Sequence, residues 1–382
     1  MTGADRSSVI VDLSRRTMNQ AARLAMPVLP YANALRITMS QLKRHALARA
    51  GALAVVWLAM VGVFADFLAS PAPLLCRFQG HVYVLPALTP RTSPIRNRDH
   101  YQVERTREDW AIFPPVGFGP EDIDPKSVYA PPLERDHLLG TDGQGRDVLS
   151  RIVYGARTSI TAGFFGMLAF AGIGIVLGAL AGFFGGTTDA VITRLMETLS
   201  AIPSLVLVLV VQALLPQAST YTLVLTIVAT QWTDVARLVR AEVHQVLAHE
   251  YVLAARALGL SSFRILRRHV LPNAIAPAVV AGTVGVATIV LIESSLGFLR
   301  VGLPKDTASW GEILSQCRAR PDAWWLIVFP GLCVFVTVVS LNLVGEALRD
   351  ALDPRLRDAS ESTAPPPREV DRESALPTAA SS

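Results

Sequence analysis

Two short patterns in the sequence could do chemistry, and each lacks a residue that its chemistry requires. The Gly-rich segment from Gly140 to Asp147, GTDGQGRD, could cradle phosphate, but a phosphate-binding loop needs a Gly-Lys step, and the chain has none. We also expect no suitable helix after it, so we interpret it as a cluster of turns. His249 and Glu250 begin a zinc-protease pattern, but Leu253 stands where the second histidine should be. The sequence therefore predicts no nucleotide site, no metal site and no catalysis.

Three carboxylates lie in or near apolar stretches, where an ionised group is costly and a functional role must be considered. Glu293 lies late in an apolar stretch. It could form a polar wall or gate of a transport path, or it could be a buried hydrogen-bond partner for another helix, and the sequence leaves both open. Glu197 and Asp234 lie near the predicted ends of apolar stretches, and for them we favour a structural role.

The stretches around these carboxylates are long enough to cross a membrane. Hydrophobic residues make up 51% of the chain and charged residues only 17%, which is unlike a soluble domain. A bilayer span needs roughly 20 apolar residues. The candidate spans are Ala48 to Leu68, Ile160 to Phe184, Leu199 to Leu215, Thr222 to Val239, Ile275 to Leu299 and Trp324 to Val344. The sequence thus predicts an all-α membrane protein with six transmembrane helices, of which the fourth is the weakest.

Lys and Arg residues set the expected orientation, because positively charged short loops stay in the cytoplasm. They cluster before the first span and between spans four and five. The expected segments are a cytoplasmic N-terminal tail (1–45), a first transmembrane helix (46–69), an extracytoplasmic loop (70–158), a five-helix core (159–350) with a cytoplasmic loop (241–274), and a cytoplasmic C-terminal tail (351–382). The extracytoplasmic loop is rich in Pro, so we expect little regular structure in it. No apolar region follows the first arginines, so no cleaved signal peptide is expected.

The segment from Glu250 to Pro272, EYVLAARALGLSSFRILRRHVLP, is amphipathic and rich in Arg, so it must lie at the membrane surface and not in lipid. Its apolar residues at helical spacing predict one small apolar face. That face consists of Tyr251, Ala254, Ala255 and Leu258. Glu250 and Arg256 are expected to face water. The segment, which we call the knob, is expected to dock a soluble partner.

Gly259 and Ser261 are expected to mark the boundary between two helices of the knob. Gly259 is expected to end the first helix, and Ser261 is placed to cap a second short helix. Pro272 is expected to end the unit before the next apolar stretch. The pattern predicts a helix, a turn and a second helix.

The knob resembles the cytoplasmic loop of ABC importer permeases, whose pattern is Glu-Ala-Ala, three residues, Gly, nine residues, Ile, one residue, Leu-Pro. The matching positions are Ala254, Ala255, Gly259, Leu271 and Pro272. Leu253 stands in place of the Glu, and His269 in place of the Ile. Glu250, one turn earlier, is the expected substitute for the missing carboxylate.

Further segments carry the same resemblance along the chain. HLLGTDGQGRDVLSRIVYGAR, from His137 to Arg157, resembles the segment before the second span in dipeptide and oligopeptide permeases. PLLCRFQGHVYV (73–84) and DWAIFPP (109–115) resemble the external loop of the Yej-type branch. GFFGG, WTDVARLVR, ESSLGFLRVGLP, SWGEIL and LRDALDPRLR follow in the expected order. The resemblance covers about Leu47 to Arg357.

The resemblance implies an inner-membrane permease subunit of an ATP-driven importer for peptides, with no cofactor of its own. Its implied partners are a homologous permease in a heterodimer, two ATP-binding-cassette ATPase subunits or domains that bind the ATP, and an extracytoplasmic peptide-binding protein. Nucleic acid is not an implied partner. The implied ATPase-coupling residues are Glu250, Tyr251, Ala254, Ala255, Arg256, Leu258, Gly259, Leu271 and Pro272.

Two other classes stay open on the sequence. A proton-coupled secondary transporter would use Glu293, Glu197 or Asp234 as relay groups, but no internal repeat of paired halves is visible. A membrane anchor that transports nothing would also explain the spans. Neither alternative explains the knob.

Two smaller expectations concern packing. Gly174, Gly178 and Gly182 form a ridge of small residues in the second span, which predicts close approach of another helix, in this chain or in a partner. Cys76 and Cys317 both fall in predicted external segments, yet nothing in the sequence brings them together. We therefore expect no disulfide between them.

Overall fold

The computed structural model describes residues 46–88, 95, 101–102, 104, 109–215, 219–302, 304 and 307–352. The expected N-terminal tail lies outside these residues, as does the expected C-terminal tail after Leu352.

The described chain is mainly helical, with one small sheet. The helices are α1 (Ala46–Val63), α2 (Ala65–Leu68), α3 (Val148–Phe184), α4 (Gly186–Ser200), α5 (Ser204–Leu214), α6 (Thr220–Leu247), α7 (Glu250–Ala257), α8 (Ser262–Ile265), α9 (Leu271–Leu299), α10 (Trp310–Ser315) and α11 (Trp325–Leu352). A π-helical turn, Leu266–Val270, joins α8 to α9. The strands are β1 (Leu75–Phe78), β2 (His81–Val84) and β3 (Trp110–Ile112).

Four helical segments among the described residues are long and apolar enough to cross a membrane. They are α1, α3, α11 and the segment Ser262–Leu299 that includes α9. Helices α4 and α5 pass the same test only together, with a bend of 81° between them, which would make five. Helix α6 does not pass, because Gln231, Asp234 and Arg237 interrupt its apolar stretch. Length and composition therefore support four or five spans, fewer than the six expected.

The glycine ridge packs α3 against α6. A Cβ atom built on Gly174 would lie 2.7 Å from the Cβ of Val235, and one on Gly182 would lie 2.9 Å from the carbonyl oxygen of Arg240. Between them, Gly178 faces the backbone of Ala236. The predicted close approach is confirmed, and its neighbour belongs to this chain. Because the contacts advance together along both helices, α3 and α6 run parallel.

Helix α9 runs antiparallel to α3. A Cβ on Gly163 would lie 2.9 Å from Val286, whereas one on Gly282, earlier in α9, would lie 3.3 Å from Met167, later in α3. The end of α6 and the start of α9 therefore both lie at the Phe184 end of α3. The knob, which connects them, lies at that end, and the external loop enters α3 at the opposite end.

The external loop contains more regular structure than its Pro content predicted. Strands β2, β1 and β3 form an antiparallel sheet in that order, with Cys76 opposite both Tyr83 and Ala111. Gln79 and Gly80, both with positive φ, form the two-residue turn between β1 and β2, a geometry that favours hairpins. The side chains of Cys76 and Phe78, both in β1, are buried on one face of the sheet. The expectation of little regular structure was wrong here, because Pro content says nothing about the short apolar runs between prolines.

Helix α3 begins at Val148, ahead of the boundary expected at 159, so a helix does directly follow the Gly-rich segment. The Asp147 side chain caps it by accepting a hydrogen bond from the Ser150 amide at 2.7 Å. The sequence misplaced this start because Arg151 and Arg157 interrupt the apolar pattern. Both are paired in the fold: Arg151 with Glu312 at 2.6 Å, and Arg157 with Asp66 at 2.8 Å.

The Gly-rich segment is a series of turns, as expected. Its charged residues join it to α10 and to the residue after that helix: Arg146 contacts Glu312 of α10 at 3.5 Å, and the Gln316 side-chain amide donates to Asp142 at 3.1 Å. Gly145 has φ +79, and a side chain there would strike the backbone of Asp124. This packed ionic network holds the first turns of α3 in place. It offers no lysine for a phosphate.

Candidate functional site

The knob folds as two short helices around a glycine turn. Helix α7 begins at Glu250, and Gly259 follows its end with φ +75. The Leu260 amide donates to the carbonyl of Ala255 at 3.2 Å, which closes the last turn of α7 in the manner of a glycine C-cap. Ser261 occupies the N-cap position of α8, although its side chain accepts no capping hydrogen bond. The predicted helix, turn and helix are confirmed in this geometry.

Pro272 does not end the knob. The chain passes from α8 through the π-helical turn into α9 without leaving helical geometry, and Leu271 and Pro272 form the first turn of α9. Pro272 has no amide hydrogen, so it donates no hydrogen bond to the π-helical turn before it. The knob is therefore continuous with the apolar helix that follows.

The predicted apolar face of α7 is divided between two sides of the helix. Ala255 is only 7% exposed and packs into the helical core with Val252, which the sequence argument passed over. Ala254 and Leu258 are exposed on the other side. Helical spacing identified an apolar surface but could not say which part α6 and α9 would cover.

The exposed side of the knob carries large apolar side chains. Leu258 is 81% exposed and Phe263 is 71% exposed, and Leu253 is exposed beside them. Glu250 and Arg256 are also exposed, as predicted, together with Arg264 on α8. A surface that combines apolar side chains with flanking charges is suited to docking against another protein.

Tyr251 contacts both ends of the knob through its ring and its hydroxyl. Its ring stacks on His249 with centroids 5.6 Å apart, and its hydroxyl accepts a hydrogen bond from Asn273 Nδ2 at 3.2 Å. Asn273 also donates to the carbonyl of His269 at 2.8 Å. Burial raises the pKa of Tyr251 above its usual range. This residue joins α7 to the first turn of α9.

Glu293 is fully buried in the second half of α9. Its carboxylate accepts hydrogen bonds from Ser309 Oγ at 2.6 Å and from Ser159 Oγ at 2.9 Å. These bonds connect α9 with α3 and with the residue before α10. The geometry favours the interpretation as a buried hydrogen-bond partner over that of a path wall.

The other two carboxylates are exposed. Glu197 pairs with Arg194 at 3.4 Å on α4, and Asp234 pairs with Arg237 at 3.6 Å on α6. Asp234 also borders a cleft between helices. Both lie on ion-paired surfaces, and neither is a buried partner of another helix.

The structure describes the three cysteines and the side-chain types that bind metal ions. Cys76, Cys317 and Cys333 are all free. In the described part of the chain, no group of three or more His, Cys, Asp or Glu side chains is arranged to hold a metal ion.

The apolar helices, the interhelical glycine ridge and the surface knob define a multi-pass helical membrane protein. Residues 174–358 match a family profile described as the inner membrane component of binding-protein-dependent transport systems.

Curated relatives extend the match. The oligopeptide transport system permease protein OppC of Bacillus subtilis is 38% identical over 227 residues, which are 59% of this chain and 74% of OppC. The dipeptide transport system permease protein DppC of Haemophilus influenzae is 39% identical over 223 residues, 58% of this chain and 75% of DppC. This chain belongs to the OppC/DppC family of ABC transporter permease subunits.

Among solved structures, the MetNI methionine ABC transporter in inward-facing conformations aligns with a TM-score of 0.46 and 16% identity, over 53% of this chain and 96% of that chain.

Family membership assigns the chain's general role. Members are the membrane-spanning subunits of their transporters, and separate subunits bind and hydrolyse ATP. The chain is therefore a permease subunit that works with an ATPase and a substrate-binding protein, and it is neither an enzyme nor a cofactor carrier.

Proposed function

We propose that this chain forms half of the translocation path of an importer for peptides and couples to the ATPase through residues 250–272. The observation that carries the coupling is the exposed apolar side of the knob, with Leu258 and Phe263 projecting from a unit that is continuous with α9. The peptide cargo rests on the names of the relatives, which are oligopeptide and dipeptide permeases.

The proposed coupling surface separates into two sets of residues. Contact with the ATPase falls to the exposed residues Glu250, Ala254, Arg256 and Leu258, together with Leu253 and Phe263. Tyr251, Ala255, Gly259, Leu271 and Pro272 give the knob its shape and attach it to α9. Movement of the docked surface would then reach the path through α9, a rigid-body mode of transmission that domain motions commonly use.

We propose six passages through the membrane. Parallel α3 and α6, and antiparallel α9, imply one return passage between α3 and α6, which the bent pair supplies. Helix α4 stays near the knob end, where Arg240 contacts Asp189 at 2.7 Å. Helix α5 reaches the start of α6, where Gln212 Nε2 donates to the carbonyl of Thr222 at 2.9 Å. The two helices would make this passage together as one bent span, because the 11 residues of α5 are too few to cross a bilayer alone.

The same directions support a cytoplasmic placement of both termini. Gly62, late in α1, lies against Arg157 at the outer end of α3, and Trp325, first in α11, donates to the Thr141 carbonyl in the outer turns at 3.0 Å. Helices α1 and α11 therefore have their outer termini at the external-loop end and their other termini at the knob end. With the knob in the cytoplasm, residues 1–45 and 351–382 are cytoplasmic and residues 70–158 lie outside, in the bacterial inner membrane.

The topology is tested with single cysteines in a variant that lacks the native ones. Glu134 is exposed in the external loop and Ser262 is exposed on the knob, so both positions react if the reagent can reach them. A thiol reagent that cannot cross the membrane should label Glu134→Cys in intact cells and should label Ser262→Cys only after lysis. Labelling in the reverse order would invert the proposed orientation.

The function itself is tested by uptake. The chain, coexpressed with a homologous permease, its ATPases and its binding protein, should import a radiolabelled dipeptide or oligopeptide in an ATP-dependent way. Copurification should recover the heterodimer and identify the binding protein, whose bound ligand reports the peptide length that the system carries. An assembled complex that imports no peptide, while a different ligand copurifies with the binding protein, would contradict the proposed cargo.

A further inference from the structure

A cleft of about 320 Å³ lies between α3, α6 and α9, near the middle of each helix. Phe170 of α3 forms one wall, and Gly285 of α9 lies against its ring. The polar groups in the lining come from Gln231 and Asp234 of α6 and from Thr288 of α9. A cleft with a carboxylate, an amide and a hydroxyl at mid-height is unusual in a membrane protein, where such groups are rare and functional.

The exposed surface of α6 changes character along its length. Tyr221 and Leu225, in its first half, are exposed apolar residues of the kind that face lipid. From the middle onward the exposed residues include Asp234, whose side chain is 70% exposed, then Arg237 and the apolar Leu238. A carboxylate so exposed cannot face hydrocarbon without a large cost, so this half of α6 must face water or another protein.

The ion pair with Arg237 leaves the carboxylate of Asp234 able to accept further hydrogen bonds. Their closest atoms are 3.6 Å apart, and Nη2 of Arg237 donates a hydrogen bond to Ser200 Oγ on α4 at 2.9 Å. An exposed ion pair of this length contributes little and exchanges readily with another cation. Asp234 can therefore accept hydrogen bonds from a group that enters the cleft.

We infer that this cleft lines the aqueous part of the translocation path and that Asp234, with Gln231 and Thr288, binds the ammonium group of the cargo. An ammonium group has three N–H donors and no acceptor. Carboxylate, amide and hydroxyl oxygens are its complements, and the charged one gives the strongest hydrogen bond. The inference rests on the proposed peptide cargo, whose free amino terminus supplies such a group.

The first test compares two forms of one peptide in the complete transporter reconstituted with its ATPases and binding protein. Asp234→Asn should reduce the transport rate of the peptide with a free amino terminus about tenfold relative to the N-acetylated peptide. Affinities of both forms for the binding protein are measured separately, so that the ratio reports the membrane step. Asp322→Asn is the matched control, because Asp322 is an exposed aspartate paired with Arg320 at 3.1 Å; it should leave the ratio unchanged.

An equal loss for both peptide forms would make Asp234 a structural contact with another subunit, and an unchanged ratio without loss would make it an idle surface charge; either result overturns the inference. If the unmodified complex carries neither form, the proposed cargo itself has failed, which is a different outcome.

The second test measures access of water to the cleft in a variant without native cysteines. Thr288→Cys should react with a charged thiol reagent in the assembled complex, and a peptide with a free amino terminus should slow the reaction severalfold. Leu225→Cys, on the apolar half of α6, is the control and should stay unreactive. A Thr288→Cys variant that is as unreactive as Leu225→Cys would place the cleft in lipid or in a dry subunit contact and would remove the basis of the inference.

Discussion

Replacing Leu258 with Asp tests the coupling surface without disturbing the core of the knob. Leu258 is 81% exposed, so the isolated subunit loses no packing when the side chain changes. If the ATPase covers this side chain, its burial stabilises the complex by about 1.5–3 kcal/mol. The variant loses this stabilisation by the buried leucine, and docking must also remove water from the new carboxylate. We therefore expect the free energy of docking to weaken by at least about 2 kcal/mol, which is roughly 30-fold in docking affinity.

The assay is ATP hydrolysis by the reconstituted complex, with and without the peptide-loaded binding protein. Leu258→Asp should abolish most of the stimulation at ATPase concentrations that saturate the unaltered permease, and added ATPase should partly restore it. Leu133→Asp is the control: Leu133 is 79% exposed in the external loop, and its positive φ is one that Asp tolerates. Full stimulation of the Leu258→Asp complex at limiting ATPase would refute the assignment of the coupling surface.

Ala255 gives a different outcome from Leu258. Because Ala255 packs into the core, Ala255→Asp must bury a charge within the subunit itself. We therefore expect reduced accumulation in the membrane together with lost transport, and normal substrate-stimulated ATP hydrolysis in an assembled complex would contradict this.

Three further substitutions test the shape of the knob and the helix packing. Gly259→Val places a branched side chain at φ +75, at a cost of about 1–2 kcal/mol, and should reduce stimulated ATP hydrolysis while the protein still reaches the membrane; Gly259→Asn should retain more activity. Glu293→Leu leaves the hydroxyls of Ser159 and Ser309 without their acceptor, at about 1–3 kcal/mol for each hydroxyl, so its unfolding midpoint in detergent should fall by several degrees, and an unchanged midpoint would contradict the role of Glu293 as a hydrogen-bond partner. Gly178→Leu should prevent accumulation because its side chain meets the backbone of α6, whereas Gly172→Leu, with open space around it, should accumulate normally.

Local patterns explain why part of this architecture could be predicted from the sequence. Hydropathy and length identified the long apolar helices α1, α3, α9 and α11, because a bilayer span requires a continuous apolar stretch. Gly259 and its flanking apolar residues identified the knob, since a helix C-cap depends on only a few neighbouring residues. The spacing of Gly174, Gly178 and Gly182 identified a packing surface for the same reason: one helical face is determined within a few turns.

Properties that depend on distant parts of the chain could not be predicted in this way. The start of α3 was missed because Arg151 is stabilised by Glu312, which lies far along the sequence. The strands in the external loop were missed because β1 pairs with β3 across a long intervening segment. The sequence showed the charged residues and the prolines, but it did not show the distant residues with which Arg151 and β1 pair.

The sequence by itself determined that the chain is a helical membrane protein with a surface knob. The length of an apolar stretch, the spacing of residues on a helical face and the end of a helix at a glycine all depend on residues that are close together in the sequence. Only the tertiary structure decided which side of each element is covered. It turned Ala255 inward and left Leu258 exposed, it buried Glu293 among hydroxyl groups, and it opened Asp234 to a cleft. Burial of a side chain is a property of the helices packed around it, and those helices come from other parts of the chain.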